Sequence, residues 1–437
     1  MRRQDFAQRL RVVLVLALLL PLPSFALAQM SGQDRSRARK MLETVREQLA
    51  EDYYDPSFGG LDLEAEYQAA LQRIEEAYGI NDAFGIIAQF MADLRDSHTY
   101  FVPPMRVQQV DYGFDMGFVG DTCFVTGVDE GSSAQSAGLQ PGAAVLTIGP
   151  YKVERQTFST LRYILYVLNP QREISLVARQ PSGELYRFRF EPKITELPYN
   201  IDLRDADIIR RLEEYERKVM EEEVHIYVET PDSVLLWKMP SFYVRRSLVD
   251  DMIARARKNR ALILDLRDNP GGSVEMKLRL IGSLFDHEVL VGRVRTREGI
   301  EELVAEPPRG GSFLGQLVVL VNSGSASASE ILARTMQLQG RGTVIGDQTA
   351  GAVMASRIKV HKVGFGRHWK YATSVSVSDV IMSDGQRLEN RGVMPDEVVL
   401  PSADDLRNGR DPAMARALQL VGISVDPATA AAMFERS

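Results

Sequence analysis

Between residues 33 and 95, apolar side chains fall at three- and four-residue intervals, the spacing that lines one face of an α-helix. Leu42, Val45, Leu49 and Tyr53 make one stripe. Tyr67, Leu71, Ile74 and Tyr78 make a second, with Gly79 as its stop signal, and Phe84, Ile87, Met91 and Leu94 make a third. Such stripes build a core and carry no chemistry. Residues 111–195 change period. Thr122 to Val128, Val145 to Ile148, Ile174 to Ala178 and Tyr186 to Phe190 read as strands, Ser132 to Ala137 as a short helix closed by Gly138, and Pro141-Gly142 as a turn. This pattern predicts a small β-rich module. Residues 203–224 are dense in charge, with Arg210-Arg211, Glu213-Glu214 and Glu221-Glu222-Glu223, as in a solvated helix or linker. From 225 onward, buried-type strands at Leu262–Leu266, Leu317–Val321 and Val344–Gly346 alternate with amphipathic stretches. One helix follows Gly271-Gly272 and carries Leu278, Ile281 and Phe285; another runs from the Asn322-Ser323-Gly324 turn to about Gln339. Strand–helix–strand succession implies an α/β core with parallel strand pairs.

The first 28 residues stand apart. Arg2, Arg3, Arg9 and Arg11 precede an apolar run from Val12 to Leu20, Pro21 and Pro23 break it, and Ala26-Leu27-Ala28 is a small-x-small cleavage signal. The run is nine residues, too short for a bilayer, which takes ~20. A signal peptide cleaved near Ala28 is expected, leaving a periplasmic or secreted chain with no stable membrane anchor. The 437 residues are 45% hydrophobic and 25% charged, a globular balance sufficient for two or three domains. The net charge of −7 becomes −10 once the leader's four Arg and one Asp are removed, which gives no reason to expect a nucleic-acid partner. Cys123 is the single cysteine, which excludes an intrachain disulfide, and the five histidines include no His-Glu-x-x-His. No metal or cofactor is expected.

Three segments carry candidate chemistry. The strand Val318–Val321 runs into Asn322-Ser323-Gly324-Ser325-Ala326-Ser327-Ala328-Ser329-Glu330 and a helix. That places serines at the carboxyl end of a strand, where α/β folds bind ligands, and at a helix N-terminus, where free N–H groups favour an oxyanion. Ser327-x-x-Glu330 also matches a capping box, an ordinary structural use of the same residues. Asp265-Leu266-Arg267-Asp268-Asn269-Pro270-Gly271-Gly272 ends another strand. With the Ala328 N–H, an N–H of Gly271 or Gly272 would complete an oxyanion hole; an ordinary turn is the alternative. Ser97-His98 follows the third stripe. A serine nucleophile needs a base, and histidine titrates nearest neutrality. His225, His287, His361 and His368 compete, the last two in a basic stretch that reads as surface.

In this order the motifs resemble those of the C-terminal processing (tail-specific) peptidase family and the related core of tricorn protease. The resemblance covers most of the chain beyond the leader. It begins with Ser97-His98-Thr99 and a PDZ-like module in Phe124 to Val128 and Gly131 to Gly142. It continues through the Asp265 to Gly272 and Ser325 to Glu330 segments to the closing Gly392-Val393-Met394-Pro395-Asp396. It implies an α/β multidomain chain with a signal peptide (1–28), a helical N-terminal region (29–110), a PDZ-like domain (111–195) and a charged linker (196–224). An α/β serine peptidase core of the ClpP/crotonase-like type (225–404) and a C-terminal helical tail (405–437) follow.

The resemblance implies Ser327 as nucleophile, with Ser325 and Ser329 as the other candidates. One departure matters. Tail-specific members carry a lysine base in a Thr-x-Gly-Lys segment, whereas Thr349-Ala350-Gly351 is followed here by Ala352. The tricorn-like pattern instead implies His98 as general base, with Ser97 and Glu389 in the polar network that orients it. Glu389 also has a plain reading as a surface carboxylate beside Arg387 and Arg391. The PDZ-like module implies a peptide added as a strand, its carboxylate taken by the loop holding Gly113, Phe114, Met116, Gly117 and Phe118, although Asp115 in that loop is unfavourable to an anion. Cys123 on the next strand reads as core. The implied function is a secreted or periplasmic serine endopeptidase acting on protein or peptide substrates. The alternative is a catalytically silent peptide-binding scaffold on the same fold, in keeping with the missing lysine. Oligomeric state and natural substrate are not legible.

Overall fold

The computed structural model describes residues 30–104, 108–196, 225–364 and 369–434; the expected signal peptide, the charge run and His368 lie outside them. Helices α1 (Gly32–Asp52), α2 (Leu63–Glu76) and α3 (Ile80–Ala92) bury Leu42, Val45, Leu49, Ile74, Phe84, Ile87 and Met91. The Ser31 and Asp62 side chains cap the first two helices by accepting free N–H groups. Gly79 does not stop α2, which ends at Glu76. It opens α3, its N–H donated to Asp82 at 3.0 Å. Tyr78 therefore falls in the connection and is 72% exposed, off the stripe the spacing predicts.

The three helices are not a separate unit. They are followed by β1 (Tyr100–Val102), which pairs with a strand some 270 residues later, and Phe101, Val363, Tyr371 and Val375 complete the helical core. Next comes the β-rich module, its neck closed by β2 (Gln108–Asp111) pairing with β9 (Lys193–Glu196). Between them β3 (Phe114–Val119), β4 (Thr122–Val128), β5 (Ala144–Ile148), β7 (Ile174–Arg179) and β8 (Leu185–Phe190) form a sheet in the order β3-β4-β5-β7-β8, with β6 (Tyr151–Lys152) on β5. The module has its own core, including Phe118, Cys123, Val125 and Leu176, and β3 lies at the sheet's edge.

The catalytic-type core is a six-stranded sheet of β10 (Ile226–Glu229), β11 (Val234–Lys238), β12 (Ala261–Asp265), β15 (Gln316–Val321), β16 (Thr343–Gly346) and β19 (Glu397–Val398), in that order and parallel except for β10. A second, antiparallel sheet joins β1, β13 (Val289–Thr296), β14 (Ile300–Ala305), β17 (Ala355–Val363) and β18 (Trp369–Met382). Leu262, Leu264, Leu317 and Val319 pack beneath helices Arg246–Ala256, Val274–Gly282 and Ala328–Leu338. Ile263, Val318, Leu320 and Ile345 face the other way, against Met414, Ala417 and Leu418 of helix Pro412–Leu420. Burial on both faces is why these strands read as unbroken apolar runs. The C-terminal helices form one wall of this core, because without them a sheet face of Val, Leu and Ile would meet water.

Candidate active site

The loop between β15 and helix Ala328–Leu338 is stitched to the loop after β12. Ser325 Oγ donates to the Leu266 carbonyl at 2.7 Å and Ser329 Oγ to the Asn269 carbonyl at 3.0 Å, both hydroxyls being buried. Asn322 exchanges bonds with Asp268, donating from Nδ2 to Oδ1 and accepting the Asp268 N–H, each at 2.9 Å. Ser327 is different. Its backbone has φ 53° and ψ −111°, a region that costs a non-glycine residue about 1–3 kcal/mol and is tolerated where surrounding structure enforces it. Two acceptors enforce it: the Ser327 N–H reaches the Ala352 carbonyl at 2.8 Å and Glu330 Oε2 at 2.9 Å. The carboxylate half of the expected capping box therefore forms, while the Ser327 hydroxyl makes no cap bond and is left uncommitted. Of the three serines in this motif, only Ser327 keeps Oγ available.

Gly271 permits this geometry, since a Cβ there would lie 2.7 Å from the Ser327 Cβ. Its N–H, however, is already donated to Asn269 Oδ1 at 2.8 Å, which removes Gly271 from the expected donor set. The N–H groups of Gly272 and Ala328 have no acceptor among the described residues.

His98 sits between α3 and β1. Its Nδ1 is 2.6 Å from Ser97 Oγ, and the Ser97 N–H reaches Glu389 Oε1 at 2.7 Å. With Nδ1–H donated to Ser97 Oγ, the Nε2 lone pair is free. Burial pushes the imidazole below its ordinary value, opposed by the negative charge of Asp96. Glu389 is 9% exposed, so it is not the surface carboxylate its flanking arginines suggest, and burial raises its value. Glu389 Oε2 accepts the Val353 N–H at 2.9 Å, next to the Ala352 carbonyl that holds Ser327. Ser327, Glu389, Ser97 and His98 thus share one hydrogen-bonded loop system, although no direct bond joins Ser327 Oγ to His98 among the described residues. Catalytic hydrogen bonds are often long without substrate.

The other described histidines lie elsewhere. His287 is exposed beside Asp286, His225 lies near Trp237, and His361 is not a free surface residue: it bonds Gln48 and Thr373 and stacks on Tyr371. The proposed peptide loop is also altered. Phe114 and Phe118 are buried in the module, and the Gly113 N–H is donated to Asp111 Oδ1 at 2.8 Å, so an acidic side chain already fills the donor a terminal carboxylate would need. Asp115 is raised by burial and by neighbouring Asp129 and Asp111. Gly117 lies against Thr126 and Ser323, Met116 is half-buried, and Ser323 Oγ donates to the Phe118 carbonyl at 2.6 Å, so the end of β3 abuts the serine loop after β15. Arg155 reinforces the junction through the carbonyls of Gly120 and Gln348.

Sequence reasoning passed over Glu330 except as a cap. It is fully buried and accepts from Ser327 N–H, Ala352 N–H, Gly351 N–H at 2.7 Å and Thr349 Oγ at 2.6 Å, while burial pushes it up to about 7. The Ala352 backbone thus serves as a strap between Glu330 and Ser327. Glu330→Gln turns one acceptor oxygen into a carboxamide NH2, a donor facing N–H donors. Urea denaturation should show a loss of about 2–4 kcal/mol, and kcat should fall by about tenfold or more as Ser327 shifts. Unchanged kcat in the folded variant would show that the strap is not holding the serine.

Residues 234–399 match the model of peptidase family S41. Over 393 residues the chain is 24% identical to carboxyl-terminal-processing peptidase 3, chloroplastic, of Arabidopsis thaliana, covering 83% of this chain and 70% of that one. It is 35% identical over 143 residues to the carboxyl-terminal-processing protease of Picosynechococcus sp., covering 31% of each. With the tail-specific protease of Haemophilus influenzae it shares 25% over 304 residues, 66% of this chain and 41% of that one. These last two overlaps span less than half of the relatives' length. In fold it resembles mature CPAF complexed with lactacystin (TM-score 0.64, 14% identity, 92% of this chain and 100% of that). It also resembles the photosystem II D1 C-terminal processing protease (TM-score 0.50, 18% identity, 83% and 93%). The fold and these matches define a serine-type peptidase. Residues 234–399 carry the peptidase S41 match, and the chain is similar to relatives named carboxyl-terminal processing and tail-specific proteases.

Proposed function

We propose that this chain is an exported endopeptidase in which Ser327 attacks the scissile carbonyl and His98 is the general base. The observation that carries this reading is the uncommitted Ser327 hydroxyl on a strained strand-to-helix turn, in the same hydrogen-bonded loop system as a half-buried imidazole whose Nδ1 is occupied by Ser97. The Oγ proton passes to His98 Nε2 as Oγ bonds the carbonyl carbon. The Gly272 and Ala328 N–H groups receive the oxyanion. The imidazolium then protonates the leaving amine, and water repeats the sequence to release the acyl group. Ser97 and Glu389 fix the ring's tautomer. Ala352 needs no lysine in this scheme, which separates the reading from a silent scaffold. A fluorophosphonate probe should label the purified protein, with the modified peptide mapping to Ser327. No labelling of folded protein, with peptide binding retained, would instead favour the scaffold. The residues 1–28 leader supports export, and amino-terminal sequencing of the protein from the cell envelope should begin at Gln29.

The β-rich module is read as PDZ-like, offering the edge of β3 to a substrate strand that leads toward Ser323 and the nucleophile. Because Asp111 occupies the Gly113 N–H, the free carboxylate contributes little. By calorimetry, free-acid and amidated forms of a bound peptide should agree within about threefold, a difference under 1 kcal/mol. A preference of tenfold or more for the free acid would mean that Asp111 swings out and the loop captures tails.

A further inference from the structure

Asp96 immediately precedes the Ser97-His98 pair. Its Oδ1 accepts the His98 N–H at 2.9 Å, the Thr99 N–H at 2.7 Å and Ser376 Oγ at 2.7 Å. Thr99 Oγ in turn accepts the Ser376 N–H at 3.1 Å, so the segment carrying the base is bolted to β18. The Asp96 carboxylate makes no hydrogen bond to the imidazole ring, whose Nδ1 is on Ser97. Its charge nevertheless acts on the ring, and it also repels the Glu389 carboxylate on the far side of Ser97. From the residues after α1 the Tyr53 hydroxyl faces Asp96, and from β18 the neutral Ser376 hydroxyl does. A segment meant only to be anchored to β18 needs an acceptor, not a charge. A charge beside a half-buried base has a further consequence, because desolvation disfavours the imidazolium that forms during turnover.

We propose that Asp96 is a positioning residue with two roles: it locks the His98 backbone to β18, and it supplies the negative charge that stabilises the imidazolium formed when His98 takes the Ser327 proton. The proposal rests on the Ser327/His98 reading. Asp96→Asn separates the roles, because its amide oxygen still accepts the His98 and Thr99 N–H groups while the charge is gone. Ser376→Ala does the reverse, removing one leg of the bolt and keeping the charge.

The test reads the imidazole directly. The Cε1–H signal of His98, assigned by its loss in His98→Gln, is titrated by NMR in the inert Ser327→Ala background with and without Asp96→Asn, and kcat and KM are followed against pH in the active forms. In Asp96→Asn the His98 midpoint should move down by about 0.5–1 pH unit. The acid limb of kcat should follow it, the plateau kcat should fall about three- to tenfold with KM nearly unchanged, and Asp96→Glu should restore the midpoint. Ser376→Ala should lower Tm without moving the midpoint. An unmoved His98 midpoint in folded Asp96→Asn, or in Asp96→Glu relative to a shifted Asn variant, overturns the charge role. If the imidazole moves while the kinetic limb stays, His98 is not the base; that outcome sinks the Ser327/His98 reading and the catalytic role of Asp96 with it, while leaving their electrostatic coupling measured.

Discussion

Ser327→Ala is expected to reduce turnover by about 10⁴-fold or more, since nucleophile and base act as a unit and removal of either leaves only binding and oxyanion stabilisation. The fold should hardly register the change. The Ser327 hydroxyl makes no cap bond, and the backbone bonds to Ala352 and Glu330 persist in alanine. Stability should therefore stay within about 0.5 kcal/mol by urea denaturation. Ser325→Ala is expected to behave in the opposite way. Its hydroxyl satisfies the buried Leu266 carbonyl, so its loss should cost about 1–3 kcal/mol while the folded fraction still turns over substrate. Abundant hydrolysis by purified Ser327→Ala together with an inactive, folded Ser325→Ala would transfer the nucleophile to Ser325.

His98→Ala should lose nearly as much of kcat as Ser327→Ala, and Ala352→Lys in that background should not recover it. The strap around Ala352 is built from its own N–H and C=O groups, and Glu330, the nearest carboxylate, is saturated with donors. The pH dependence follows from the sign of the shift. Histidine works as a base when neutral, and its ordinary value is ~6.5. Burial lowers His98 further, so the neutral form persists to lower pH, and the acid limb of kcat/KM should lie below about 6.5. A lysine base would put that limb higher, because even strong desolvation leaves most amines titrating above histidine. Near-wild-type kcat in His98→Ala with an unchanged limb would end the Ser/His scheme. Lys359 is then a poor replacement, since it pairs with Asp52 on α1. Lys277 is the better place to look: it is buried at 3% exposure on helix Val274–Gly282, which begins just after the glycine loop, and desolvation brings it down to about 8.

Much of this was legible in the chain's order. Period-3.6 stripes named α1–α3, apolar runs named β12, β15 and β16, and the serine motif after β15 marked a site, because these signals are local and each element buries one predictable face. Gly79 was misread for the same local reason: glycine serves either end of a helix, and only the path of the chain tells which. Glu389 looked like a surface group between two arginines, whereas the fold buries it against Ser97 and Val353 from distant segments.

What the sequence determined by itself is the order of motifs, the character of each element, and the alanine at 352 where the tail-specific pattern has lysine. What only the tertiary structure decided is which polar groups remain free. Ser325 and Ser329 are consumed by carbonyls of the β12 loop, Gly271 by Asn269, and Gly113 by Asp111, leaving Ser327, Gly272 and Ala328. Hydrogen-bond capacity is finite and each donor is claimed by whatever acceptor the fold brings within 3 Å or so, so the vacancy that makes a site is a property of contacts between segments, which no spacing along the chain records.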